Sequence, residues 1–171
     1  MRLILAFVFA ATFWGNSSAH ADPVTIWSMN AASCVPAQAA GTNYSISGGA
    51  VTNVVAQLQY FYCPIPYDLR ALNGATHTLT LYYAGNSNYT CTGLCSQFHF
   101  VEANVVAMSR STGAETTVVS LGSVTSSTFA SVSSAFSHTF DLDANVYYVR
   151  IRVSGNTSNP QTVYAVALKD S

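Results

Sequence analysis

The sequence predicts an all-β fold: an antiparallel β-sandwich, jelly-roll or immunoglobulin-like, with about eight to ten short strands. Three observations carry that expectation. Half of the 171 residues are hydrophobic and only 8% are charged, so the chain has apolar surface to bury and little repulsion to hold it open. Val, Thr, Ser, Ala and Tyr are abundant while Lys, Glu and Met are scarce, a composition that suits a pleated surface better than a helix. Apolar residues also recur at every second position in short runs, separated by Ser-, Asn- and Gly-rich turns.

The start of the chain reads as a secretion signal. Met1 and Arg2 precede an uncharged apolar run from Leu3 to Trp14, and Ala19–His20–Ala21 supplies the small–x–small pattern that signal peptidase accepts. The run is shorter than the roughly 20 residues a membrane-spanning helix needs. We expect a signal peptide over residues 1–21, one β-sandwich domain over 22–171, and no membrane span after cleavage. The destination is outside the cytosol: secreted, periplasmic or in the cell envelope. About 150 mature residues suit one domain with a sizeable core.

Strands follow in order. Residues 24–29 form the first, and 32–43 a loop broken by Pro36 and Gly41. Residues 44–47 and 50–54 flank Gly48–Gly49 as a hairpin. Residues 57–63 place Leu58, Tyr60 and Tyr62 on one face. Residues 68–74 have the only helical flavour. Residues 77–84 alternate Leu79, Leu81 and Tyr83 against polar partners. A long strand over 96–109 invites a bulge, and strands at 115–122, 136–140, 145–155 and 161–169 complete the set. In the strand from 145, Tyr147, Val149, Ile151 and Val153 share one face. Val146, Tyr148, Arg150 and Arg152 share the other, which must meet solvent or a partner.

An early Cys34-x-Pro36, an aromatic strand closing in Cys63–Pro64, and the late run Tyr147–Val153 together resemble small exported bacterial β-sandwich proteins of uncharacterised role. That resemblance implies a secreted sandwich and brings no active site with it.

Four cysteines in an exported chain point to disulfides, with three pairings open. Neighbour pairing, Cys34 with Cys63 and Cys91 with Cys95, needs the fewest assumptions. Cys91, Cys95 and His99 would share one face of a helix and so suggest a metal, but the surrounding sequence reads as strand. Structural zinc also wants four ligands, and a redox pair wants Cys-x-x-Cys at a helix start. The Cys91/Cys95 pair is therefore read as a staple on a loop.

Other chemistry is thinly provided. Asp141, Asp143 and Asn145 alternate like the start of a calcium loop, yet Val146 and Arg152 stand where an EF-hand needs Gly and Glu. Calcium at a sandwich edge stays open; otherwise this is a turn, and no other cofactor is implied. There is no G-x-S-x-G and no H-E-x-x-H. His77 and His138 are expected at the surface. With no basic stripe and a formal net charge of −1, nucleic acid is an unsuitable partner. Adjacent tyrosines on a strand must face opposite ways, so one of Tyr82/Tyr83 and one of Tyr147/Tyr148 should be exposed. Tyr82, Tyr89 and Tyr148 are the candidate binding residues. The expected function is a non-catalytic binding module for carbohydrate or a surface protein. A structural subunit of a surface layer, filament or matrix is the alternative, and a secreted hydrolase is third.

Overall fold

A computed structural model describes residues 24–37, 43–55, 57–66, 76–85, 100–124, 126–155 and 158–170. The expected leader, the 68–74 turn, and Tyr89, Cys91, Cys95 and His99 lie outside the described residues. Eleven strands are present among the described residues: β1 (Val24–Asn30), β2 (Val35–Pro36), β3 (Tyr44–Ser47), β4 (Ala50–Asn53), β5 (Leu58–Pro64), β6 (Thr76–Gly85), β7 (Phe100–Ser109), β8 (Glu115–Val124), β9 (Ala130–Ser137), β10 (Asn145–Ser154) and β11 (Gln161–Asp170). Among the described residues, no helix is long and apolar enough to cross a membrane.

Two antiparallel sheets form the sandwich. The first runs β3-β4-β11-β6-β9, with β1 also paired to β11; the second runs β2-β5-β10-β7-β8. Within them, β4 pairs with β11, β5 with β10, β6 with β9 and β7 with β8. This nesting of early strands against late ones is a jelly roll, which decides between the two expected architectures. The alternation predicted for β10 is observed. Tyr147, Val149, Ile151 and Val153 turn inward to meet Leu79, Leu81, Val166 and Leu168 from the first sheet, and all are buried. Truncating one of these, Leu79→Ala for instance, should cost about 2–5 kcal/mol.

The chain changes sheets early. β1 belongs to the first sheet and β2 to the second, and a 3-10 turn at Ala31–Ser33 joins them. The disulfide between Cys34 and Cys63 pins this crossing to β5, as neighbour pairing predicts. The β3–β4 hairpin turns on Gly48 and Gly49, both at positive φ (58° and 82°), a geometry that only glycine adopts cheaply.

Two elements differ from expectation. Val35–Pro36 sits in the stretch read as loop and adds two residues of strand beside β5. The strand expected at 136–140 lies instead at Ala130–Ser137. Its inward residues are small or isolated (Ala130, Val132, Ser134, Phe136), which blurs a hydrophobic period that larger side chains would make plain. The long strand does bulge, with register shifts between Val101 and Ala103 and between Val105 and Val106 against β8.

Candidate functional site

The outer face of the second sheet gathers the chemistry of this charge-poor chain. Three successive rungs cross β5, β10 and β7. Arg152 stands opposite Tyr60 and Glu102; Arg150 stands opposite Tyr62 and Asn104; Tyr148 stands opposite Pro64 and Val106. Cross-strand neighbours on one face lie within side-chain reach, so the register alone brings these groups together.

Each arginine is held by a carboxylate. Arg152 Nη1 donates to Glu102 Oε2 at 2.7 Å, and its guanidinium lies 5.9 Å from the Tyr60 ring centre and 5.5 Å from that of Phe100. Asn104 Nδ2 donates to Glu102 Oε1 at 3.1 Å. One rung on, Arg150 Nη1 donates to Glu115 Oε2 at 3.0 Å, and the Tyr148 hydroxyl donates to Glu115 Oε1 at 2.5 Å. Burial, and then the bond to Glu115, push the Tyr148 phenol well above its ordinary pKa, so it stays a donor. Two arginines and the only two glutamates of the chain thus cancel on one face.

Hydrogen-bonding capacity is left over. Asn104 is 5% exposed, yet its Oδ1 has no partner among the described residues; the same holds for Nε of Arg150 and of Arg152. At one end of the ladder the face sinks into an open apolar depression of about 340 Å³, lined by Val35, Tyr62, Pro64, Met108, Val146 and Tyr148. Tyr62 meets Tyr148 edge to face at 5.5 Å. Aromatic walls beside a row of fixed donors and acceptors can hold a ligand whose surface alternates between apolar and hydroxyl.

The candidate residues named from sequence fall in different places. Tyr148 faces outward but is only 9% exposed, because Tyr62 and Glu115 cover it; with Tyr147 buried as well, neither member of that pair is freely exposed. Tyr148 is a wall of the depression, and Tyr60 and Tyr62 are the more open rings of this face. Tyr82 lies on the other sheet, turned outward while Tyr83 is buried. Cys34 and Cys63 are joined away from this ladder's polar rungs. The side chain of Asp141 accepts the amides of Asp143 (3.2 Å) and Ala144 (3.0 Å), and Asn145 Nδ2 donates to its carbonyl, so the three build the turn into β10. No three His, Cys, Asp or Glu side chains gather to hold a metal among the described residues.

The surface placement expected for His77 is corrected, while His138 is half-buried. His77 is fully buried; its Nε2 donates to the His138 carbonyl at 3.0 Å, and its Nδ1 lies 3.3 Å from Asp170 Oδ1. The Tyr147 hydroxyl accepts the Asp141 amide and bonds His138 Nε2 at 3.2 Å. Strict alternation puts His77 at a polar position, but Phe136 and Phe140 pack on it and close the end of the sandwich over it. Burial, and then the nearness of His77, lower the His138 pKa.

Glu102, Asn104 and Glu115 were not singled out as binding residues. A signal was present: Glu102-x-Asn104 and Arg150-x-Arg152 each place two polar groups on one face of an otherwise apolar strand.

No protein-family model matches the chain, and no curated protein sequence matches it. Among solved structures, the chain is similar in course to a family 36 carbohydrate-binding module in complex with calcium and xylotriose. The identity is 17% and the TM-score 0.49, covering 83% of this chain and 98% of that one. It is also similar to a family 4 carbohydrate-binding module, at 16% identity and TM-score 0.44, covering 74% of this chain and 88% of that one. A third is the Clostridium thermocellum xylanase 10B fragment holding a family 22 module, complexed with xylohexaose. There the identity is 10% and the TM-score 0.48, over 84% of this chain and 27% of that one.

Proposed function

We propose that the protein is an exported, non-catalytic carbohydrate-binding module, and that a neutral saccharide chain lies along the outer face of the second sheet. One observation carries this reading. In a chain with 8% charged residues, two arginines and both glutamates pair with one another across a single sheet face beside Tyr60, Tyr62, Tyr148 and Phe100. A sugar ring offers an apolar face of C–H groups and a rim of hydroxyls. Tyrosine rings match the first, and Asn104, the two guanidinium groups and the carboxylates match the second, since each hydroxyl both donates and accepts. The mutual neutralisation of Arg and Glu favours an uncharged sugar over a uronic acid. Both carboxylates are engaged by arginine and serve as fixed acceptors in this reading. Export is supported by the leader-like start at residues 1–21 and by the disulfide between Cys34 and Cys63. The domain then corresponds to residues 22–171.

The test is a glycan array probed with the mature protein and with Tyr62→Ala and Arg152→Ala. Binding to neutral glycans that falls at least tenfold in both variants supports the reading. Binding to neutral glycans that neither substitution weakens refutes this face as the site.

A further inference from the structure

The outer face of the first sheet carries a second aromatic cluster. Tyr82 on β6 lies nearly parallel to Phe129, which stands just before β9, with ring centres 6.2 Å apart and planes at 18°. Tyr164 on β11 meets Phe129 edge-on at 5.3 Å. Phe129 is 63% exposed and Tyr164 38%. Single exposed aromatics are ordinary, but three linked through Phe129 on an open sheet form a patch that calls for a partner.

A local irregularity builds this patch. On β11, Val163 pairs with the inward Tyr83, and Ala165 with the outward Tyr82, leaving Tyr164 as the extra residue of a bulge. The bulge stands Tyr164 beside Phe129 while Val166 and Leu168 still point into the core. Around the rings the surface is hydroxyl-rich. Thr80 pairs with Ser133 at 2.9 Å, Thr52 with Thr162 at 2.8 Å, and Ser131 stands opposite Tyr82. Among the described residues along the outward rows of β4, β6, β9 and β11, the ionisable side chain other than tyrosine is Lys169, which pairs with Thr78, four residues along β6 from Tyr82. An uncharged patch of rings and hydroxyls complements an uncharged, hydroxylated ligand and offers nothing to a charged one.

We infer that Tyr82, Phe129 and Tyr164 form a second platform for the ring faces of a neutral polysaccharide, so that one molecule grips two chains. The ligand class, though not the patch itself, rests on the reading of the protein as a carbohydrate-binding module. The two platforms lie on opposite faces of the sandwich, which excludes one short oligosaccharide from spanning both.

The experiment is affinity electrophoresis of the mature protein in gels holding hydroxyethyl cellulose, xylan, galactomannan or polygalacturonate, with turbidity of the same polymers in solution. Three variants are compared: Phe129→Ala/Tyr164→Ala, Tyr62→Ala/Arg152→Ala, and the combination. Unfolding curves confirm that each is folded, and light scattering gives its mass. The expected result is retardation of the wild type by a neutral polymer, and a dissociation constant about tenfold higher in each double variant. The combination should run unretarded, and only the wild type should cross-link the polymer into turbid aggregates. If Phe129→Ala/Tyr164→Ala migrates and cross-links as the wild type does, the second platform is refuted while the first face stands. A wild-type dimer that this variant makes monomeric assigns the patch to a second copy and overturns the inference. Retardation by polygalacturonate alone overturns the uncharged ligand class. If no polymer retards the wild type, both readings fall.

Discussion

The two outer faces of this sandwich use the same β-sheet geometry for opposite surfaces. On the second sheet, Arg152 pairs with Glu102 and Arg150 with Glu115, and Arg152 also lies against the Tyr60 and Phe100 rings. On the first, hydroxyls pair with hydroxyls, and the rings gather at one end around Phe129. The difference shows how polar groups are made directional. Hydroxyls rotate to suit a partner, whereas an arginine fixed by a carboxylate and an aromatic ring presents its remaining N–H groups at set angles. In the proposed reading, the second sheet is the selecting face and the first the adhesive one.

The disulfide lies in the core beneath the second sheet, whose outer face carries the ladder, and removing it should separate the two sheets most strongly. Cys34→Ser/Cys63→Ser should lower stability by about 3–4 kcal/mol, as read by denaturant unfolding. It should also loosen Val35 against Tyr62, so backbone hydrogen exchange rises in β2 and β5 before β6 and β9. Equal loosening of both sheets would contradict this placement. Next in size is Arg152→Ala, for which saccharide affinity should drop by about 2 kcal/mol while stability changes by less than about 1 kcal/mol, because the ion pair is partly exposed. Calorimetric titration and a melting curve together check the split. Tyr148→Phe removes the donor to Glu115 and should cost about 1 kcal/mol of stability.

A smaller effect comes from the closed end of the sandwich, which serves neither face. The folded His138 pKa lies below its unfolded value of about 6.5. Its contribution is therefore fully present above that pH. It declines as pH falls, because the unfolded chain takes up the proton first. Unfolding midpoints should drop between neutral pH and the lower folded pKa, and His138→Gln should flatten that slope. A slope unchanged in the variant would assign the dependence to other groups.

Much of the fold was legible because a strand repeats every two residues and one face must be apolar. The inward set Tyr147–Val153, the Gly48–Gly49 hairpin and the bulge in the long strand could all be read locally. β9 was displaced because its inward residues are too small to mark the period, and β2 was hidden because two residues have no period. The site was half legible. That Arg150 and Arg152 face outward followed from alternation. That Glu102 meets Arg152 across 50 residues of sequence did not, since register between distant strands is set by the whole sandwich. Tyr164 beside Phe129 depends on a bulge, and the buried His77 on a cap of phenylalanines, both products of tertiary packing.

The most direct test of the central claim is an NMR titration of the isotope-labelled mature protein with a hexasaccharide cut from a neutral polymer that retards it. The account predicts saturating shifts at Tyr60, Tyr62, Glu102, Asn104, Arg150 and Arg152, three rungs of one sheet face. Shifts confined to residues elsewhere, or none at ligand concentrations that saturate binding to the polymer, would contradict it.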